Sequence, residues 1–238
     1  MKKIVISGTY CTGKTTLALA LSLASGIPAT HALTMREILP MLYPGKTLRQ
    51  CTPVELITLG MKRFGERIES ESDLPHGFIS DGCPIQEWLY GSTRLITGAY
   101  PDEKPWKMKF RQLLNPGRYR DFQKLLSGFE GMAKEYTCGH YDQFIHLPVE
   151  FDFVPDGHRP TSERFRQESE KRLLKTYDEL LLEPEVIRGN HMQRLQQAVD
   201  ILGITPLMSL EQCVLQAEFK RSNRFDSVRL ETRNNKRP

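Results

Sequence analysis

The residues of this sequence best placed to do chemistry stand near its start, where GTYCTGKT occupies positions 8–15. The stretch fits the spacing G-x-x-x-x-G-K-[ST] in full, directly after the apolar run at 4–7 and directly before a Leu- and Ala-rich stretch. Glycines allow backbone angles that a side chain would block, so successive amide N–H groups can converge on phosphate oxygens. The spacing therefore predicts a loop that binds nucleotide phosphates; the alternative is a chance glycine turn.

Each polar member of this loop has a predicted role. Lys14 supplies a mobile positive charge for the β- and γ-phosphates of ATP, and Thr15 offers its hydroxyl to Mg²⁺. The positive end of the helix that follows adds to the attraction for anions. The predicted nucleotide-binding residues are Gly8, Thr9, Tyr10, Cys11, Thr12, Gly13, Lys14, Thr15 and Thr16.

A strand-terminal carboxylate is the second candidate. The sequence GFISDG reads as a short buried strand that ends on Asp81. The carboxyl ends of parallel strands face the ligand crevice, so Asp81 is expected beside the phosphate loop. There it could accept the proton of an incoming hydroxyl or hold Mg²⁺ through water. The alternative is a structural Asp that caps the turn before Gly82.

Four arginines follow the third predicted strand, within a segment at about 155–175 that we predict to be a lid. Arginines that close over a transferring phosphoryl group stabilise its charge and exclude water. Arg159 and Arg164 are the better candidates for this role, and Arg166 and Arg172 are weaker ones. The alternative is a solvated helix on which arginines pair with glutamates.

The remaining chain favours phosphoryl transfer over the other activities that use such a loop. No N-K-x-D guanine reader follows a strand, which argues against a GTPase. A motor or AAA-type ATPase would usually show a long apolar strand ending in paired acids, whereas the strand FIHLP has no acid at its end.

Strands alternate with helices along the chain, which predicts an α/β fold of three layers. We expect a parallel sheet of about five strands with helices on both faces. A kinase-like domain should span 1–205, with a substrate-side insertion at about 98–136. A C-terminal helix and a basic tail, predicted to be partly disordered, should follow at 206–238. Residues 53–72 read as an amphipathic helix with Leu56, Leu59 or Gly60, Phe64 and Ile68 on its apolar face.

The composition is that of an ordinary soluble protein of 238 residues, with a formal net charge of +4. No apolar stretch approaches the roughly 20 residues that cross a bilayer, so no membrane partner is expected. Five cysteines, odd in number and without a C-x-x-C pair, argue against a disulfide framework and a zinc site. They favour a cytoplasmic location.

Segment 100–120 interleaves lysines and arginines with aromatic residues. Such a segment can bind a single nucleic-acid strand or a nucleobase-like molecule by charge and stacking. It can equally be a solvated face whose aromatic residues turn into the core. Nucleic acid therefore remains a possible partner at this stage.

Taken together, these motifs resemble those of small P-loop kinases, of the ribosylnicotinamide-kinase-like and nucleoside/nucleotide-kinase-like kinds. The resemblance covers about 1–205 and rests on GTYCTGKT, on Asp81 with Pro84 and EWLY at 87–90, and on the turn PDGHR ending at Arg159. It implies five parallel strands, ATP with Mg²⁺, an acceptor hydroxyl or phosphate near Asp81, a mobile lid carrying Arg159 and Arg164, and residues 189–194 near the adenine.

One departure bears on the acceptor. Many such kinases have Asp-Arg where this chain has Asp81-Gly82, and the missing arginine favours an uncharged acceptor. The sequence thus predicts an ATP-dependent kinase acting on a hydroxyl of a small molecule, nucleoside or nucleotide. The alternatives are a kinase of DNA or RNA hydroxyls or of modified bases within DNA and, from another class, a nucleotide-binding switch or regulatory ATPase.

Overall fold

The computed structural model describes residues 2–30, 32–97, 113–114, 116–150 and 163–234. The strands are β1 (Lys3–Gly8), β2 (Ala29–Thr30), β3 (Phe78–Asp81), β4 (Gln143–Leu147) and β5 (Glu185–Val186). The helices are α1 (Lys14–Ser25), α2 (Met35–Leu42), α3 (Pro53–Ser72), α4 (Pro84–Thr97), α5 (Pro116–His140), α6 (Glu163–Glu179), α7 (His191–Leu202) and α8 (Leu210–Asn234).

The five strands form one parallel sheet in the order β2-β3-β1-β4-β5. The first strand therefore lies in the middle, with β3 on one side and β4 on the other. In this register Ile6 is level with Asp81, and Gly8 is level with Leu147. The start of the phosphate loop and the carboxylate of β3 thus reach the same edge of the sheet. The predicted α/β fold with a five-stranded parallel sheet is confirmed.

Helices cover both faces of the sheet. Because successive residues of a strand point to opposite sides, neighbouring residues of β1 belong to different core clusters. Val5 joins a core cluster with buried residues of α3 to α6, such as Leu89 and Phe129. Its neighbours Ile4 and Ile6 join a second cluster with α1, α7 and α8. Three layers result, as the apolar runs of the strands predict.

Helix α3 differs from its prediction in one turn. Leu56, Leu59 and Phe64 are buried as expected, but Ile68 is 38% exposed. The buried positions of that turn belong instead to the charged pair Arg67 and Glu71, which are 1% and 2% exposed. Apolar periodicity alone misplaced this face, because it assigns charged residues to solvent.

Several boundaries also differ from the sequence prediction. Helix α5 includes the second part of the predicted insertion, and it buries Phe122, Leu126 and Phe129 in the core. Strand β2 and helix α2 were not predicted; α2 contains Pro40, a residue that usually argues against a helix interior. The C-terminal tail is helical to Asn234. Residues 98–112 and 151–162 lie outside the described residues.

None of the helices within the described residues is long and apolar enough to cross a membrane.

Candidate nucleotide- and acceptor-binding site

The phosphate loop adopts a conformation that depends on its glycines. Gly8 and Gly13 have φ angles of 141° and 93°, a region that side chains disfavour. A Cβ on Gly8 would lie 2.6 Å from the Leu147 carbonyl oxygen and equally close to the Thr12 hydroxyl. Helix α1 begins directly after Gly13, so its positive end faces the loop. The loop therefore has the backbone geometry of an anion-binding turn.

Thr15 and Asp81 meet at the edge of this loop. The Thr15 hydroxyl donates to Asp81 Oδ2 at 2.6 Å. A hydroxyl and a carboxylate oxygen are ligands that suit Mg²⁺, which also takes water and phosphate oxygens. Thr15 and Asp81 would therefore suit a Mg²⁺ ion that binds together with a nucleotide. The described residues contain no group of three or more His, Cys, Asp or Glu side chains that would hold a metal by itself.

Two side chains from other elements fix the loop backbone. Gln86, in the first turn of α4, donates to the Gly8 carbonyl. Arg194 of α7 is buried, and it donates from Nη1 to the Thr12 carbonyl at 2.5 Å and from Nη2 to Glu150 Oε2 at 2.7 Å. Both contacts occupy carbonyl groups, which leaves the amide groups of the loop to face an anion.

The start of α7 lies directly beside the loop. A Cβ on Gly13 would lie 3.1 Å from the His191 ring, and burial lowers the pKa of this histidine. Burial also acts to raise the pKa of Glu150, but hydrogen bonds from Arg194, from the Gly189 amide and from Arg188 outweigh it and hold the pKa below its usual value. Segment 189–194 thus borders the phosphate loop. This is the segment that the family resemblance implies to lie near the adenine.

A buried ionic network supports the turn after β3. The guanidinium of Arg67 donates to Ser80, to the carbonyl groups of Asp81 and Gly82, and to Glu87 Oε1. Burial acts to lower the pKa of Arg67. The combined effect of Glu87, Tyr141 and Glu71 outweighs burial and raises the pKa above its usual value, so the guanidinium stays charged. This arginine fixes the backbone that presents the Asp81 carboxylate.

A cleft of about 180 Å³ runs from the phosphate loop across Asp81 to helices α2, α3 and α4. Its loop end is lined by residues 10–16, and Arg221 of α8 also lines the cleft. Beyond Asp81 its walls include Met35, Arg63, Glu87 and Tyr90. The cleft therefore provides space next to the Thr15–Asp81 pair as well as at the phosphate loop.

The predicted lid arginines fall in different places. Arg159 lies outside the described residues, and Arg164 is exposed on the first turn of α6. Neither Arg164 nor Arg172 lines the cleft. Arg166, one of the two weaker candidates, is 2% exposed and pairs with Glu163 at 2.8 Å. Lys14, Thr15 and Asp81 are brought together; Arg164 is not brought to them.

A buried polar chain connects the base of the loop to α6. Ser7 Oγ contacts Tyr177 OH at 2.7 Å and His146 Nδ1 at 3.1 Å. His146 Nε2 in turn contacts Glu170 Oε1 at 2.8 Å. The segment proposed as a lid is therefore anchored, at its helical end, to the strand that carries the phosphate loop.

Sequence reasoning missed Gln86, Arg67 and the loop contact of Arg194. The signals for the first two were weak but present. Gln86 and Glu87 follow Asp81 by five and six residues on the helix that starts at the same edge of the sheet. Arg67 has Glu71 four residues later, a spacing that places both on one helix face. For Arg194, 182 residues from its partner Thr12, the only signal was the family resemblance, which places 189–194 near the adenine; no local pattern predicts the contact.

The central β1, the glycine loop at the N-terminus of α1, and Asp81 at the end of the neighbouring strand together define a P-loop nucleotide-binding α/β domain. An AAA domain family matches residues 3–194 of the chain. The chain therefore belongs to this family. Its strand β4 nevertheless ends without an acid, and the strand-terminal carboxylate is on β3.

A solved structure of NadR protein, in complex with NR, has a similar fold. The TM-score is 0.54 at 16% sequence identity, over 86% of this chain and 51% of that one. The chain thus spans about half the length of NadR, and the likeness shows a common fold. It agrees with the small P-loop kinase resemblance. No curated protein matches the chain significantly.

Proposed function

We propose that the protein is an ATP-dependent phosphotransferase that moves the γ-phosphoryl group of ATP to a hydroxyl of a small molecule of the nucleoside or nucleotide class. One observation carries the proposal: the cleft continues past the Thr15–Asp81 pair into a walled space on the side of α2, α3 and α4. A nucleotide switch needs only the loop end, whereas a kinase needs room for a second molecule beside the γ-phosphate.

The geometry of the loop and of Asp81 supports the following proposed roles. The loop amides and Lys14 hold the β- and γ-phosphates; Lys14 Nζ now donates to the Thr9 carbonyl and exchanges that partner for phosphate oxygens. Thr15 and Asp81 would hold Mg²⁺, which neutralises charge on the transferring group. In this proposal Asp81 also faces the approaching acceptor hydroxyl. Arg164 lies away from the cleft in this structure, so the proposal requires that it and Arg159 move over the transferring group once both substrates are bound.

The fold likeness to NadR, whose structure contains the small nucleoside NR, supports a small acceptor. No comparison supports a nucleic-acid acceptor, and residues 100–112 of the basic–aromatic segment lie outside the described residues.

The test is transfer of label from γ-labelled ATP to pooled nucleosides, nucleotides and metabolites, with wild type and Asp81→Asn. We expect wild type to label one acceptor class and Asp81→Asn to lose at least about 100-fold in kcat, since it loses the metal-side carboxylate. The affinity for ATP in the absence of Mg²⁺ should change by less than about threefold, because the loop amides remain.

Asp200→Asn is the control, because Asp200 lies on α7 away from the cleft, where it accepts a hydrogen bond from Gln196. Normal transfer by Asp81→Asn would exclude the proposed role of Asp81. ATP binding without labelling of any acceptor would instead favour the switch or regulatory ATPase.

A further inference from the structure

Glu87 holds a carboxylate oxygen that lacks a protein partner. Its side chain is 1% exposed. Oε1 accepts from Arg67 Nη2 at 2.9 Å and lies 3.2 Å from Arg63 Nε, whereas Oε2 is buried and has no hydrogen-bond partner among the described residues. Glu87 nevertheless lines the cleft. A buried polar atom without a partner is costly, and in a native protein it calls for an explanation.

The carboxylate is held rigidly in this position. Arg67 is itself fixed by Ser80 and by the carbonyl groups of Asp81 and Gly82. The same arginine therefore supports both the backbone of Asp81 and the carboxylate of Glu87. A carboxylate paired with two guanidinium groups accepts hydrogen bonds and donates none, so Oε2 needs a donor.

The surroundings of Glu87 indicate what kind of molecule would bring that donor. A small pocket of about 10 Å³ adjoins the cleft at Glu87. Its other walls are Arg94 and the mainly apolar set Met35, Leu56, Ile57, Tyr90, Gly91 and Phe129. The cleft and this pocket share Met35, Glu87, Tyr90 and Arg94. A ligand in the cleft thus lies beside the Glu87 side chain and next to apolar surface.

We propose that Glu87 is an acceptor-binding residue: its Oε2 accepts a hydrogen bond from a hydroxyl or amino group of the phosphoryl acceptor, and an apolar or planar part of that acceptor lies in the cleft against Met35 and Tyr90. The inference rests on the proposed phosphotransferase function and deepens it. It specifies an acceptor that carries a donor group in addition to the hydroxyl that receives phosphate. Ribonucleosides, with two vicinal hydroxyls, a primary hydroxyl and a planar base, have this chemistry.

The test compares wild type, Glu87→Gln and Glu71→Gln. Glu71 is an equally buried carboxylate that contacts the same Arg67 at 3.8 Å, but it binds Ser80 and Tyr141 instead of lining the cleft. It is thus a matched control for loss of a buried charge beside Arg67. The probes are ribosylnicotinamide, the four common ribonucleosides, and their 2′-deoxy and 3′-deoxy forms.

We expect Glu87→Gln to raise the KM for the acceptor by about 10- to 100-fold, as loss of a charged hydrogen bond does, with the KM for ATP changed less than about twofold. Glu71→Gln should leave both KM values within about twofold. Wild type should also have a higher KM for the deoxy form that lacks the donor than for the parent nucleoside. Glu87→Gln should lose this difference, because the effects of removing two interacting groups are not additive in a double-mutant cycle.

Where Glu87→Gln does not fold, Glu87→Asp and the deoxy series on wild type replace it. The inference is overturned if wild type is indifferent to both deoxy forms and uses ribonucleosides with and without a base amino group equally well. An acceptor that is phosphorylated equally well by Glu87→Gln overturns the inference and leaves the phosphotransferase intact. Probe binding is measured separately by thermal shift with Mg²⁺ and a non-hydrolysable ATP analogue. Glu87-dependent binding of a probe that is never phosphorylated would support a ligand contact at Glu87 but overturn both its role toward a phosphoryl acceptor and the proposed function. If no probe binds wild type, both are overturned.

Discussion

At the scale of single residues, the candidate site depends on a few atoms whose steric space, hydrogen bonds or burial are tightly restricted. Gly8 tolerates no side chain because the Leu147 carbonyl occupies the space where a Cβ would be. Thr15 and Asp81 meet because their strands and loop end at one edge of the sheet. Glu87 lines the cleft, is deeply buried, and has one carboxylate oxygen without a hydrogen-bond partner in the described part of the chain. Of these three features, the unsatisfied Glu87 oxygen is a local cost that a hydrogen-bond donor of a bound ligand would offset.

Cys11 provides a residue-scale prediction, since it lies exposed within the phosphate loop. We expect a thiol reagent such as dithionitrobenzoate to modify Cys11 and Cys138 in the native protein. Cys83 should stay unmodified, because burial raises its pKa to about 11 and excludes the reagent. MgATP at about ten times its Kd should slow the reaction of Cys11 about tenfold, since only the free protein reacts.

Mass spectrometry of the labelled sites gives the measurement, with Cys138 as the internal control. Cys138 is exposed on α5 and does not line the cleft, so its rate should not change. Reaction of Cys11 at the same rate with and without saturating MgATP would contradict nucleotide binding at this loop.

At the scale of elements, α7 acts as a brace for the phosphate loop. Asn190 caps the helix, and its first turn brings Arg194 to the Thr12 carbonyl and to Glu150. Helix α4 braces the other end of the loop through Gln86 and presents Glu87 one residue later. Two helices from distant parts of the sequence thus set the shape of one short loop.

The brace predicts the effect of Arg194→Met. This variant should lose about 2–3 kcal/mol of unfolding free energy, because it removes two charge-assisted hydrogen bonds from a buried site. Its Kd for MgATP should rise about tenfold as the loop loses its fixed shape. Urea denaturation and calorimetric titration measure the two quantities.

Arg188→Met is the matched control, since Arg188 reaches the other oxygen of Glu150 but its side chain is 64% exposed. An exposed pair of this kind contributes at most about 1 kcal/mol. Equal losses in the two variants would show that burial at Arg194 has no special role.

At the scale of the whole molecule, the fold gathers its functional groups at the carboxyl edge of the sheet, between the two helical layers. The Arg67 network joins the consecutive elements α3, β3 and α4, whereas the Ser7–Tyr177–His146–Glu170 chain and the Arg194–Glu150 pair join parts of the chain that are farther apart in sequence. Folding must therefore be complete before the site exists, and conditions that weaken the fold should weaken the site.

Stability should fall in mildly acidic solution. Burial lowers the pKa of His140 and of His191, so in the window just below the ordinary histidine pKa of 6.5 the unfolded chain binds more protons than the folded one. The free energy of unfolding therefore rises with pH through this window. The contribution is fully present above about pH 6.5 and is lost as pH falls toward the folded pKa values.

Urea denaturation at several pH values between about 5 and 7.5 measures this dependence. The double variant His140→Gln/His191→Gln should show a flatter profile in this window than wild type. An equally steep profile in the double variant would assign the acid sensitivity to other groups.

The sequence by itself determined the phosphate loop, the strand-terminal Asp81 and the alternation of strands and helices, because each is encoded by residues adjacent in the chain. Glycine spacing, β-branched runs and turn residues act locally, and the P-loop fold follows from them. The same local logic failed at Ile68, where it expected an apolar side chain to be buried.

Only the tertiary structure decided which charged residues are buried and what they contact. Charged residues are usually found at the surface, yet Arg67, Glu87 and Arg194 are buried. Their burial is tolerated because partners on other elements neutralise their charge and accept or donate their hydrogen bonds. Those partners meet through the strand order of the sheet and the packing of α3, α4 and α7. Long-range packing, which no local pattern contains, therefore set the walls of the cleft.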